Sequence, residues 1–144
     1  MKISTKGKYG MKAIVDLAIH SSEGAVTLKS ISERQDISEG YLEQIFSLLR
    51  KNNLIKGKKG SQGGYVLQKD PKHITVGEIL RSLEGDLSVV QLDDNYIDDR
   101  MEKCIKDIVW DKLNDKINFV VNSISLEDLV EEYKKDRNSF MYYI

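Results

Sequence analysis

Residues 38–67 constrain this chain more than any other stretch. Leu42, Ile45, Phe46 and Leu49 recur at i, i+3, i+4 and i+7, the spacing that lays apolar side chains along one face of a helix. Ser38 precedes them as an N-cap, and Glu39 suits the positive end of the helix dipole. Gly40, Glu43, Gln44, Ser47, Arg50 and Lys51 fall away from the apolar face. Two short strands should follow at 54–59 and 64–68, joined by Gly60-Ser-Gln-Gly63, because glycine reaches the positive φ that tight turns require. From Ile45 to Gln68 there is no Asp or Glu, whereas Arg50, Lys51, Lys56, Lys58 and Lys59 all fall there.

The flanking segments supply a frame for this unit. Tyr9, Ala13, Ile14, Leu17 and Ala18 have helical spacing and predict a first helix over 5–20. Thr27 caps a second, short helix that uses Leu28 and Ile31, and Gln35-Asp-Ile37 is a turn with one apolar anchor. A short helix, a tight turn and a helix with an exposed polar face form a helix-turn-helix pattern. Thr75-Val-Gly-Glu78 is a capping box opening a helix through Ile79, Leu80 and Leu83, with Gly85 just past its end. The fold class is therefore mainly α with a small β-hairpin. It is read as a winged helix-turn-helix domain at 1–85, followed at 86–144 by a linker loop, a long dimerisation helix and a C-terminal docking segment.

That long helix is expected over about 100–122. Leu113, Ile117, Val120 and Ile124 are spaced four, three and four apart, a heptad seam. A seam on one helix needs burial, and a second copy of the chain is the economical partner. A last helix should run from Ser125 to about Lys135. The aromatic tail Ser139-Phe-Met-Tyr-Tyr-Ile144 should dock on a core or a subunit interface.

Charge sharpens the division. Net charge is −1, but residues 1–85 hold 14 Lys+Arg against 9 Asp+Glu, and residues 86–144 hold 8 against 14. A +5 half beside a −6 half points to a polyanion-binding half and a half with another task. Lysines and arginines gain affinity for duplex DNA by releasing condensed counterions. Arg50, Lys51, Lys56, Lys58 and the N-terminal Lys2, Lys6 and Lys8 suit that role. Gln44 can pair bidentately with adenine, and Glu43 can accept from the amino group of cytosine. Lys59 at the hairpin tip suits a narrow minor groove.

Other chemistries find little support. His20 and His73 lack a paired nucleophile, and no Cys/His spacing suits zinc. Asp93-Asp94 and Asp98-Asp99 read as a solvated acidic loop. The glycines at 60–64 lack the Walker spacing and no helix follows them directly. An enzyme is not expected. Cys104 is the only cysteine, so an intrachain disulfide is excluded. The start lacks a signal peptide's apolar stretch, and no apolar run is long enough to span a bilayer. A cytoplasmic protein without membrane contact is expected.

Met1-Lys-Ile-Ser-Thr-Lys-Gly-Lys-Tyr-Gly10, Ile37-Ser-Glu-Gly-Tyr-Leu-Glu-Gln-Ile-Phe46, Leu48-Leu-Arg-Lys-Asn-Asn-Leu-Ile55 and Gly63-Gly-Tyr-Val-Leu67 resemble the IscR/CymR-type (Rrf-type) bacterial regulators. The resemblance extends through Ile74-Thr-Val-Gly-Glu-Ile79 and Ser125-Leu-Glu-Asp-Leu129. It implies a homodimeric winged-helix regulator on a pseudo-palindromic operator in double-stranded DNA. It puts the DNA contacts on Ser38, Tyr41, Glu43 and Gln44 in the helix and on Lys59 and Gly60 in the hairpin. Relatives often have arginine where this chain has Lys59, and Gly40 replaces a side-chain donor of some relatives. Iron–sulfur members carry three cysteines, of which only Cys104 is present here, with Leu92 and Asp98 in the other two places. One thiolate does not hold a cluster that takes four ligands, so no cofactor is expected, and Cys104 is a candidate only for a redox or ligand role. The chain looks more like the cysteine-metabolism repressor branch, which implies control of sulfur and cysteine genes and cysteine synthase as a partner. Two alternatives stay open: a redox or iron–sulfur-linked regulator, and a protein-interaction module that docks a metabolic enzyme.

Overall fold

A computed structural model describes residues 1–61, 63–91 and 99–142, with the backbone alone for 137–142. Four helices build the frame: α1 (Thr5–His20), α2 (Leu28–Gln35), α3 (Glu39–Lys51) and α4 (Val76–Glu84). Each starts on a hydroxyl that satisfies an orphan amide. Ser4 Oγ accepts from Gly7 N at 3.2 Å, Thr27 Oγ1 from Ser30 N at 3.1 Å and Ser38 Oγ from Tyr41 N at 3.2 Å. The expected capping box is present, with Glu78 N donating to Thr75 Oγ1 and Thr75 N to Glu78 Oε2, both at 3.1 Å. Ser4 also ties the chain start to α4, its amide donating to Glu84 Oε1 at 3.0 Å.

Leu42, Ile45, Phe46 and Leu49 are fully buried, so the apolar stripe of α3 faces the core as its spacing requires. Ala13, Ile14 and Leu17 of α1, Ile31 of α2 and Ile79 of α4 meet it there. After α3, Asn53 takes a left-handed conformation (φ 61°) and the chain turns into β1 (Ile55–Lys58), which pairs antiparallel with β2 (Gly64–Leu67). β1 is one residue shorter at each end than expected, lacking Leu54 and Lys59, and β2 lacks Gln68. Gln62, in the expected turn, lies outside the described residues.

The helix expected as one α-helix over 100–122 is built differently. α5 (Arg100–Ile105) passes through a π-helical segment (Lys106–Trp110) into α6 (Asp111–Ser123). The i→i+5 bond of that turn runs from Asp111 N to Lys106 O, and Lys106 Nζ contacts Asp111 Oδ2 at 2.9 Å, again five residues on. Ile124, the last residue of the expected seam, is not helical. It lies past the helix in extended backbone (φ −102°, ψ 123°), where its carbonyl accepts from Val76 N at 2.8 Å. The reciprocal bond, Leu126 N to Ile74 O at 2.8 Å, makes residues 74–76 and 124–126 a short backbone pairing.

The last helix, α7 (Leu126–Tyr142), continues beyond the predicted stop near Lys135. It opens on a second reciprocal cap, Asp128 N to Ser125 Oγ at 3.0 Å and Ser125 N to Asp128 Oδ2 at 2.9 Å. Leu126 and Val130 are buried in the same core as α1 and α3. The docking expected of Ser139–Ile144 falls on side chains outside the described residues, as do Leu92, Asp93, Asp94 and Asp98.

Among the described residues, one charged group enters the core. Asp16 on α1 is 2 % exposed and receives Arg34 Nη2 at 2.7 Å, Arg34 Nε at 2.9 Å and Gln35 Nε2 at 2.8 Å. The bond to Asp16 holds the Arg34 guanidinium above its ordinary pKa. A buried carboxylate stripped of its partner keeps its desolvation cost. Arg34→Ala should therefore lower stability by on the order of 2 kcal/mol, a discounted figure because Gln35 remains and Arg34 is one-third exposed. Lys103→Ala, which breaks the solvated pair with Asp107 at 2.9 Å, should leave the urea midpoint unchanged. Equal midpoints for the two variants would contradict this account.

Candidate nucleic-acid interface

The outward face of α3 is built by the inward one. With Leu42, Ile45, Phe46 and Leu49 buried, Gly40, Glu43, Gln44, Ser47, Arg50 and Lys51 are exposed. Neither Glu43 nor Gln44 has a hydrogen-bond or ion-pair partner among the described residues, so both keep their full donor and acceptor capacity. Ser38 is exposed too, but its oxygen already caps α3, which leaves its O–H free to donate. At Gly40 a methyl group would meet nothing within 4 Å, so this part of the face is open space rather than a packed joint.

Tyr41 is placed differently from Glu43 and Gln44. It is half-buried, and its ring meets Tyr9 of α1 edge-on, centroids 5.9 Å apart at 85°. Such aromatic pairs are favoured by the ring quadrupoles. Tyr9 is 40 % exposed and brackets the first turn of α3 from the side. Its helical spacing alone places it only on the apolar stripe of α1. The signal available was its phenol between Lys8 and Lys12, which helical spacing alone does not separate from a core residue.

The hairpin continues this surface. Ile55 is buried, whereas Lys56, Gly57 and Lys58 are exposed, and Lys59 and Gly60 are exposed at the tip. Lys56 sits opposite Val66, and Lys58 opposite Gly64. A two-stranded hairpin alone is marginal in water, and two contacts anchor this one. Tyr65 packs on Phe46 of α3 with centroids 5.0 Å apart. Val26 exchanges both backbone bonds with Tyr65, at 2.9 and 2.7 Å. Gly64 lets the strand come this close: its φ is +149°, and a Cβ there would stand 2.5 Å from Val26 O. This bridge from the α1–α2 connection was missed from sequence, since one isolated residue pair leaves no periodicity.

Arg50, Lys51, Lys56, Lys58 and Lys59 make no ion pair among the described residues. Lys2 and Lys8 are exposed at the chain start, and Lys6 is half-buried on α1. The result is a face with hydrogen-bonding groups on the helix and uncompensated cations on the hairpin. His20 lies 3.8 Å from Glu23, and His73 is exposed.

On α6, Leu113 and Val120 are exposed and Ile117 is half-buried. Met101 and Ile108 are exposed earlier in the same run, and Phe119 is 73 % exposed. Among the described residues no helix is long and apolar enough to cross a membrane.

A family model described as "Iron-dependent Transcriptional regulator" (Rrf2) matches residues 3–132. The HTH-type transcriptional regulator CymR of Bacillus subtilis (strain 168) is 41% identical over 144 residues, which cover all of both chains. The HTH-type transcriptional regulator IscR of Photorhabdus laumondii is 41% identical over 130 residues, covering 90% of this chain and 79% of its own. In three dimensions, CymR, the global cysteine regulator of B. subtilis, superposes with a TM-score of 0.78, covering 92% of this chain and 98% of its own at 41% identity. T. potens IscR superposes at 0.75, covering 94% and 90% at 43% identity.

The family's description names iron, so the donor set bears on it. Cys104 is exposed on α5, and no group of three or more His, Cys, Asp or Glu suited to a metal ion occurs among the described residues. One thiol does not match the four-ligand requirement of an iron–sulfur cluster. The helix-turn-helix frame, the anchored hairpin and the match over nearly the whole length place this chain in the Rrf2 family of transcriptional regulators.

Proposed function

We propose that the chain is a sequence-specific DNA-binding repressor that works as a homodimer on a pseudo-palindromic operator. The observation that carries this reading is the pairing of two surfaces through one joint. Unpartnered Glu43 and Gln44 stand on α3, unpaired Lys56, Lys58 and Lys59 stand on the hairpin, and Phe46–Tyr65 couples the two. In this reading α3 enters the major groove, where Gln44 reads adenine and Glu43 accepts from cytosine. A carboxylate beside phosphates is repelled, so Glu43 adds specificity only where a base donor offsets that cost. Ser38 and Tyr41 bind at the start of α3, with Tyr41 held in place by Tyr9. Lys59 and Gly60 approach the minor groove, and Arg50, Lys51, Lys58, Lys6 and Lys8 bind phosphates.

The exposed apolar residues of the α5–α6 run support the dimer. Leu113, Ile117 and Val120 form its centre, and Ile124 contributes at the foot of α6 rather than on it. Two-fold symmetry then presents two α3 helices to half-sites about one helical turn apart, roughly 34–36 Å. The near-complete match to CymR supports cysteine and sulfur metabolism genes as the regulated set. Genome-wide occupancy in cells grown with and without cysteine tests that assignment, and an unchanged occupancy map would remove it.

Two kinds of substitution should separate reading from affinity. Glu43→Ala should cost about 1–3 kcal/mol of discrimination at one base pair while leaving binding to random duplex intact. Lys58→Ala should weaken operator and random DNA alike and reduce the slope of log K against log salt by about one. Fluorescence-anisotropy titrations from low to moderate salt measure both, and a uniform loss from Glu43→Ala would count against the assigned roles. Leu113→Asp with Val120→Asp should convert the dimer to a folded monomer in sedimentation velocity. A dimer that survives both changes would place the interface elsewhere.

A further inference from the structure

A cleft of about 600 Å³ opens between α1, α2 and α7, with no residue of α3 or the hairpin among its lining. Its volume lies within the range of small-molecule sites. Val15 and Ile19 of α1 and Leu129 and Tyr133 of α7 give it apolar walls. Apolar side chains normally close to interior packing density; among the described residues these line open space instead.

The polar groups of the cleft are unbalanced. Among its described lining residues the only carboxylate is Asp16, and both oxygens of that group are taken by Arg34 and Gln35. Lys8 and Lys12, one helical turn apart on α1, also line it. Neither makes an ion pair among the described residues. The cleft thus combines apolar walls with a cationic edge that no acidic group of its lining neutralises.

We propose that this cleft binds a small amphipathic organic anion, with its apolar body between Val15, Ile19 and Leu129 and its anionic group at Lys8 and Lys12. A neutral apolar molecule would leave the lysines unused, and a small inorganic anion would leave the walls wet. The site takes no base-reading residue and does not depend on the regulated genes. It touches the DNA-binding face at Lys8, so a bound anion and a DNA phosphate compete for one ammonium.

The test uses the full chain and the fluorescent anion 8-anilinonaphthalene-1-sulfonate. Wild type should give a saturable rise in fluorescence that octanoate reverses and 1-octanol does not. Lys12→Glu, a change at an exposed position, should weaken the dye by about tenfold or more, and Lys12→Arg should retain it. Val15→Trp, checked for folding by circular dichroism, should abolish the rise by filling the cleft. Phe119→Ser, on the exposed apolar run of α6, should leave it unchanged. The proposal fails if wild type shows no saturable rise, if octanol competes as well as octanoate, or if Phe119→Ser removes the signal and Lys12→Glu does not.

Discussion

The contact between Phe46 and Tyr65 is the joint on which the rest of the structure depends. Phe46 is fully buried on the inner face of α3, and Tyr65 comes from the second strand of the hairpin, their centroids 5.0 Å apart. Without it, α3 would still pack through Leu42, Ile45 and Leu49, but the hairpin would rest on buried Ile55 and the Val26–Tyr65 bridge, with no aromatic tie to α3. With it, and with the reciprocal backbone bonds from Val26 to Tyr65, helix and hairpin hold one orientation. Reading DNA demands such an arrangement, because hydrogen bonds to base edges tolerate little misplacement whereas phosphate contacts set the register.

The second constraint is at the other end of the core. Residues 74–76 and 124–126 pair through two backbone bonds of 2.8 Å, and Arg81 of α4 holds Asn118 at 2.7 Å and Asn122 at 2.9 Å on α6. Leu126 and Val130 complete the core. The acidic half is therefore fastened to the basic half by packing and backbone pairing.

Much of this was legible in local chemistry. Ser38, Thr27 and the Thr75/Glu78 box announced three helix starts because caps act within three residues. The stripe on α3 followed from spacing alone, and so did the outward placement of Glu43 and Gln44. Non-local features were not legible. The Val26–Tyr65 bridge joins residues far apart in sequence through a single pair, and Tyr9 looked like an ordinary stripe residue until it met Tyr41. The π-helical segment at Lys106–Trp110 inserts no unusual residue, so the apolar pattern did not betray it. Ile124 kept the heptad spacing but lost the helix to the pairing with Val76. The last helix runs on past the expected end near Lys135 to Tyr142, since polar residues have only a weak effect on where a helix stops.

The central claim is that α3 and the hairpin, doubled by a two-fold axis, read duplex DNA. In vitro selection of binding sites from random duplex DNA by the full-length protein tests it most directly. The account predicts enrichment of a pseudo-palindrome whose half-sites lie about one helical turn apart, roughly 10 base pairs, with the strongest preference at positions that Glu43→Ala and Gln44→Ala each relax. No enrichment over the starting pool, or a single asymmetric site that both variants still select, would contradict it.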